Sequence, residues 1–253
     1  MSRWIVLGSA HSIAAPHAAN THFALVTTRR IVLVDCPGPV FPHLTRYHLS
    51  PHRITDLVLT HFHPDHVSGL ALFLQNLWLV GRTRPLHLHG LPDVLDRARR
   101  LLDLFRWHRW KREYSVHFHA VEGPGLLPLL REPDVHLYAA EVKHSVPTLG
   151  LRFAFPESGK VLAYSADTAP CPAVEDLARG ADWLFHEATG AGSIHTSAAQ
   201  AGELARRAGV RHVFLVHTDP DPRARHRLEE EARRAFGGPV TAAWDGLTLV
   251  WEP

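Results

Sequence analysis

Residues 59–70 read LTHFHPDHVSGL, placing His61, His63, Asp65 and His66 within six positions. All four side chains can donate a lone pair to a metal ion, and they follow directly on the apolar run Leu57-Val58-Leu59. A buried imidazole or carboxylate needs a partner, so four together must satisfy one another or a shared ligand. The segment therefore demands a fold that carries a strand terminus into a polar cleft at a sheet edge. With 21 histidines in 253 residues, a lone HxH pair carries little weight. The full HxHxDH arrangement has a chance of below about one per cent of arising somewhere in such a chain. Imidazole and carboxylate donors without thiolate suit zinc first, then manganese or iron. Four side chains on one tight loop cannot all converge on a single tetrahedral ion, so two ions could share the cluster.

Strand-length apolar runs recur at 4–7, 23–27, 31–34, 57–59, 86–88, 135–139, 151–155, 161–164, 183–185, 213–216 and 247–251. Several are dense in Val, Ile, Phe or Trp, as buried strands are. Helical stripes separate some of them. PDVLDRARRLLDLF aligns Val94, Leu95, Ala98, Leu101, Leu102 and Phe105 behind Pro92. TSAAQAGELARRAG offers Thr196 or Ser197 as N-cap and Gly209 as the stop, and PRARHRLEEEARRAFGG ends similarly at Gly237. A further helix is expected after His66, through Leu70, Leu74 and Leu77. Strands followed by strand–helix alternation predict a layered α/β protein, sheets packed together and helices outside.

No Ser-, Gly- or charge-rich linker divides residues 1–253, and a 45% hydrophobic composition can fill one large core, so a single domain is expected. Net charge is +2, and the basic cluster FRWHRWKRE (105–113) reads as a helix end with a solvated face, Trp107 and Trp110 packing inward. Cys36 and Cys171 stand apart without a CxxC, so neither a disulfide framework nor a thiolate metal site is implied. The apolar part of MSRWIVLGSA is too short for a signal peptide or a membrane span. A cytoplasmic protein with no membrane partner is the expectation.

THFHPDH matches the signature of the metallo-β-lactamase superfamily, and the chain resembles its ribonuclease Z branch over nearly its whole length. LGSAHSIAAPHAANTHFALVTTRRIVLVDCPGP looks like that branch's opening strands and ends on Asp35; EVKHSVPTLGLRF supplies His144 and LAYSADT supplies Asp167. LFHEATG, IHTSAAQAGELA, VFLVHTDP and AAWDGLTLVW follow in the family's order, with Glu187, His195 and His217. The resemblance implies a four-layer αββα sandwich with two divalent ions at one sheet edge. His61, His63 and His144 would hold one ion, and Asp65, His66 and His217 the other. Asp167 and a hydroxide would bridge them, and Asp35 would orient a ligand histidine. It further implies a phosphodiesterase in which Asp65 belongs to the catalytic centre and Glu187 with His195 protonates the leaving oxygen. The expected substrate is a phosphodiester, RNA included, and the branch's homodimers make a second copy an expected partner. Ribonuclease Z proper carries a tRNA-gripping arm between the motifs that here supply His144 and Asp167. Here LRFAFPESGKVLAYSAD reads as a plain hairpin, so a small diester should be a better substrate than a tRNA precursor. The other hydrolases of this scaffold are the alternatives: a phosphoribosyl cyclic-phosphate diesterase, a thioesterase or a lactonase. A non-enzymatic metal-binding protein is the remote one.

Overall fold

The opening strands β1 (Ser2–Gly8), β2 (His22–Val26) and β3 (Ile31–Val34) are buried at almost every position. Strands of that kind need cover on both faces, and the fold provides it with a second sheet on one side and helices on the other. In the computed structural model, which describes residues 1–252, β1 to β3 run antiparallel. They continue in parallel through β4 (Ile54–Val58), β5 (Leu86–Gly90) and β6 (Val116–Ala120). The last strand, β14 (Thr248–Trp251), pairs with the free side of β1 to complete seven strands.

The second sheet also has seven strands. An antiparallel set comprises β7 (Leu127–Glu132), β8 (Val135–Val142), β9 (Thr148–Phe155) and β10 (Lys160–Tyr164). It passes into parallel pairing with β11 (Trp183–Glu187), β12 (His212–Val216) and β13 (Val240–Ala242). Between the sheets Trp4 stacks on Phe23 at 4.9 Å, and Phe185 on Phe214 at 4.7 Å. Phe153 and Tyr164 close the same fully buried core.

Helices α1 (Val40–Arg46), α2 (Pro64–Val67), α3 (Leu70–Leu79) and α4 (Pro92–Leu104) belong to the first sheet's side. On the second sheet lie α5 (Pro172–Ala178), α6 (Ala198–Ala208) and α7 (Pro222–Phe236). The αββα layering read from the sequence is thus the observed one. Ser197 caps α6 in a reciprocal capping box with Gln200, and Gly209 stops the helix at φ 69°. Trp110 packs inward as expected, stacked on Trp78 at 5.9 Å.

Periodicity did not reveal β6, β7 and β13 or the short helices α1 and α5. The strands β6 and β7 terminate their sheets and are half exposed, so their composition carries little apolar signal.

Topology gathers the polar motifs at one edge. The parallel strands β3, β4, β10, β11 and β12 end there, and antiparallel β9 begins there. Leu149 N–H donates to the Thr60 carbonyl at 2.9 Å, tying the two sheets together at that edge. Asp35, Ala166 and His217, all just beyond strand ends, have left-handed backbones with φ of 64°, 52° and 52°. Non-glycine residues held there cost on the order of 1 kcal/mol or more each, a strain characteristic of functional sites.

Candidate metal centre

Each polar side chain reaches the edge through the strand that precedes it. His61 and His63 leave the end of β4, and α2 opens at Pro64 to project Asp65 and His66 from its single turn. His144 enters from the β8–β9 loop, Asp167 from beyond β10 and His217 from beyond β12. One donor set is His61, His63, His144 and Asp167; another is Asp65, His66 and His217, with donors in each set within 4.8 Å of one another. His63 Nδ1 lies 3.1 Å from His61 Nε2 and 3.2 Å from His144 Nε2. His217 Nε2 lies 3.3 Å from both Asp65 Oδ2 and Asp167 Oδ2. Asp167 stands between the sets, one oxygen 3.9 Å from His61 Nε2 and the other 3.7 Å from His66 Nε2. All seven residues read as ligands in the sequence therefore converge.

The donor set fits divalent cations. His66 Nε2 and Asp167 Oδ1 are buried without a hydrogen-bond partner, a cost that a cation between them removes. Burial alone would lower the His66 imidazole, but Asp167 and Asp35 override it and hold it well above its usual value. Burial likewise would raise Asp167, yet the imidazoles of His217, His66 and His61 hold it well below the carboxylate range. The centre draws positive charge and offers only nitrogen and oxygen donors. Cys36, its thiol pushed up by burial, belongs to the core.

Outer partners fix the imidazole rings of both donor sets. Asp35 Oδ2 lies 2.8 Å from His66 Nδ1, and Asp35 also accepts from Thr60 N–H (2.7 Å) and from the Thr60 hydroxyl (2.8 Å). The orienting role implied for Asp35 thus has its geometry. The Thr60 hydroxyl lies 3.0 Å from His61 Nδ1, Thr189 Oγ1 lies 2.8 Å from His217 Nδ1, and His144 Nδ1 donates to the Ile194 carbonyl at 2.9 Å. Sequence reading missed Thr60 and Thr189. The signal that could have found them is a threonine beside the ligand loop in LTHFH and after the carboxylate in HEAT.

Glu187 and His195 meet beside the centre. Glu187 is fully buried and accepts from His195 Nδ1 at 2.8 Å, from Thr168 and Thr196 N–H at 3.1 Å each, and from Thr189 N–H at 2.9 Å. The bond from Glu187 raises the His195 pKa against the opposing effect of burial. His195 remains partly solvent-accessible, and its ring centroid lies 5.2 Å from that of His144 and 6.0 Å from that of His217. His186 points away into the interior, its Nδ1 2.7 Å from the Glu187 carbonyl.

A sandwich of two sheets with this donor set at one edge defines a metallo-hydrolase. A family model described as a β-lactamase superfamily domain matches residues 30–218. An uncharacterized protein of Mycobacterium tuberculosis is 31% identical, over 95% of this chain and 89% of its own length. The ribonuclease Z of Methanothermobacter thermautotrophicus is 26% identical, over 96% of this chain and 94% of its own. Among solved structures, the short form of human tRNase Z superposes with a TM-score of 0.79 at 19% identity, covering 98% of each chain. The chain belongs to the metallo-β-lactamase superfamily, in the neighbourhood of its ribonuclease Z branch. Among the described residues no helix is long and apolar enough to cross a membrane.

Proposed function

We propose that this protein is a binuclear metal-dependent phosphodiesterase of ribonuclease Z type. The observation that carries the reading is Asp167 standing between two donor sets while the Glu187–His195 pair faces the same cleft. His61, His63, His144 and Asp167 would hold one divalent ion, zinc by preference, and Asp65, His66, His217 and Asp167 a second. When bound, such a pair supplies an activated water and neutralises charge on a phosphoryl oxygen.

The remaining work belongs to the chain. Glu187, itself locked by three backbone amides, fixes His195 through Nδ1–H and favours the imidazolium. His195 Nε2–H is then free to donate its proton to the departing alkoxide, which an alkyl or ribosyl diester needs near neutral pH. Acyl transfer to water has less need of that pair, so its presence supports a diester over a thioester or lactone. Between β9 and β10 only Pro156 to Gly159 intervene, a turn with no extension to grip a folded RNA. That supports a compact diester or the end of an RNA chain as substrate.

The test is a zinc- or manganese-supplemented screen of phosphodiesters beside thioesters and lactones, with a tRNA precursor included. Diester cleavage should dominate and precursor processing should be poor. Thioester or lactone turnover without diester cleavage would overturn the reading.

A further inference from the structure

A second group of imidazoles stands on the first sheet, away from the metal centre. Strands β5 and β6 are parallel and in register, with His87 opposite His117 and His89 opposite His119. A His-x-His pattern on each strand therefore puts four rings on one face. The His87 and His117 rings stack at 5.4 Å, and those of His89 and His119 at 4.9 Å. Beneath them Asp56 Oδ1 holds His89 Nε2 at 2.9 Å, so the buried member of the group is already partnered. Two outer rings meet on the diagonal, where His87 Nδ1 lies 2.8 Å from His119 Nε2. Burial first, and then neighbouring imidazoles, lower the pKa of both, which favours neutral rings. One of the two facing nitrogens carries the shared hydrogen, which a tautomer change moves to the other nitrogen of its ring when an ion takes its place.

We propose that His87 and His119 chelate one divalent transition-metal ion of the copper(II) or nickel(II) class, at a site separate from the catalytic centre. Two imidazole nitrogens bound at their usual length stand about 2.9 Å apart when at right angles on one ion, and about 3.3 Å apart in a tetrahedron. The observed 2.8 Å, an N–H···N hydrogen bond in the metal-free pair, lies close to that right-angle spacing, which square-planar and octahedral ions supply. Water completes the coordination. His117 is turned aside, its Nε2 2.9 Å from the Ser115 hydroxyl, and His89 is held by Asp56. The bound ion ties the terminal strand β6 to β5. Because it binds only the folded arrangement, an ion concentration about a hundredfold above its Kd lowers the unfolded population about a hundredfold.

The experiment uses untagged, zinc-loaded protein dialysed against nickel(II), with copper(II) electron paramagnetic resonance as a second reading. Native protein should take up one nickel ion per chain without losing zinc, and the copper spectrum should show two nitrogen donors. The double substitution His87→Ala/His119→Ala should lose that uptake while keeping zinc content and diester turnover. The exposed single substitution His119→Ala should weaken uptake at least tenfold and gives the same reading if the double variant folds poorly. Equal uptake by native and substituted protein, or no uptake by native protein at millimolar nickel(II), would overturn the proposal and leave a hydrogen-bonded histidine pair.

Discussion

If Glu187 and His195 form the proton donor proposed above, replacing Glu187 by Gln separates that function from the metal centre. In the native site Glu187 Oε1 receives three donors, from His195, Thr168 and Thr196, while Oε2 receives Thr189 N–H. A glutamine in the same place keeps its oxygen toward the three and turns its amide nitrogen toward Thr189 N–H. One buried donor then loses its acceptor, at a cost of about 1–3 kcal/mol of stability, and the fold should survive. The kinetic effect is larger. The Glu187 bond raises the His195 pKa, so the protonated form persists to higher pH in the native enzyme. Cleavage of a diester with an alkoxide leaving group should therefore fall as pH rises through that raised value. In Glu187→Gln the fall should come at lower pH, nearer the ordinary histidine value. His195→Ala removes the donor outright and should cost about 10²–10⁴ in rate on such a substrate. An aryl leaving group such as p-nitrophenolate departs as a stable anion, so on bis(p-nitrophenyl) phosphate both substitutions should cost far less. The assay is a pair of pH–rate profiles, aryl against alkyl diester, with metal content measured alongside. Equal losses on both substrates with unchanged metal content would refute the reasoning, because the pair would then be serving something other than the leaving group.

Asp35→Asn keeps a residue tolerant of the left-handed backbone at that position but disrupts the partner of His66 Nδ1; chelator competition should show metal affinity reduced about 10–100-fold. His22 is buried, and burial first, then the neighbouring His43, pushes its pKa down from 6.5 to about 3. The folded protein therefore refuses a proton that the unfolded chain accepts below pH 6.5, so this group's stability is intact above that value and lost progressively toward pH 3. About 2 kcal/mol should be gone by about pH 5, and urea unfolding at two pH values in native and His22→Gln protein checks whether His22 causes the slope. In Gly202→Ala the added methyl would meet the Ala232 carbonyl oxygen of α7 at 2.4 Å. Despite alanine's better helix propensity, the denaturation midpoint should fall by the equivalent of about 1–3 kcal/mol as α6 and α7 are forced apart.

What the sequence disclosed and what it withheld follow from how far each property reaches. The helices α4, α6 and α7 are visible because caps, stops and apolar stripes are local, and Ser197, Gly209 and Gly237 act where they stand. The ligand loop from His61 to His66 is local as well, since one strand end and one helical turn hold all four donors. His144, Asp167 and His217 are different: each is an ordinary strand-end polar residue until β9, β10 and β12 are laid beside β4, and only the order of the motifs disclosed them. The threonines that fix His61 and His217 have no periodic or compositional mark, because a hydroxyl next to a strand end reads equally as a turn. Arg82 shows the same limit in the core. It is almost wholly buried, and its guanidinium satisfies the carbonyls of Pro51, Ile54 and Pro85 from three separate segments. Nothing near it in the chain signals such a role, so its charge suggests the surface when read alone. The β5 and β6 histidines mark the boundary most clearly. Each His-x-His is common in a chain this rich in histidine, and only the parallel register brings His87 to His119. Chemistry carried by one segment is readable before folding; chemistry shared between strands becomes readable when the register is known.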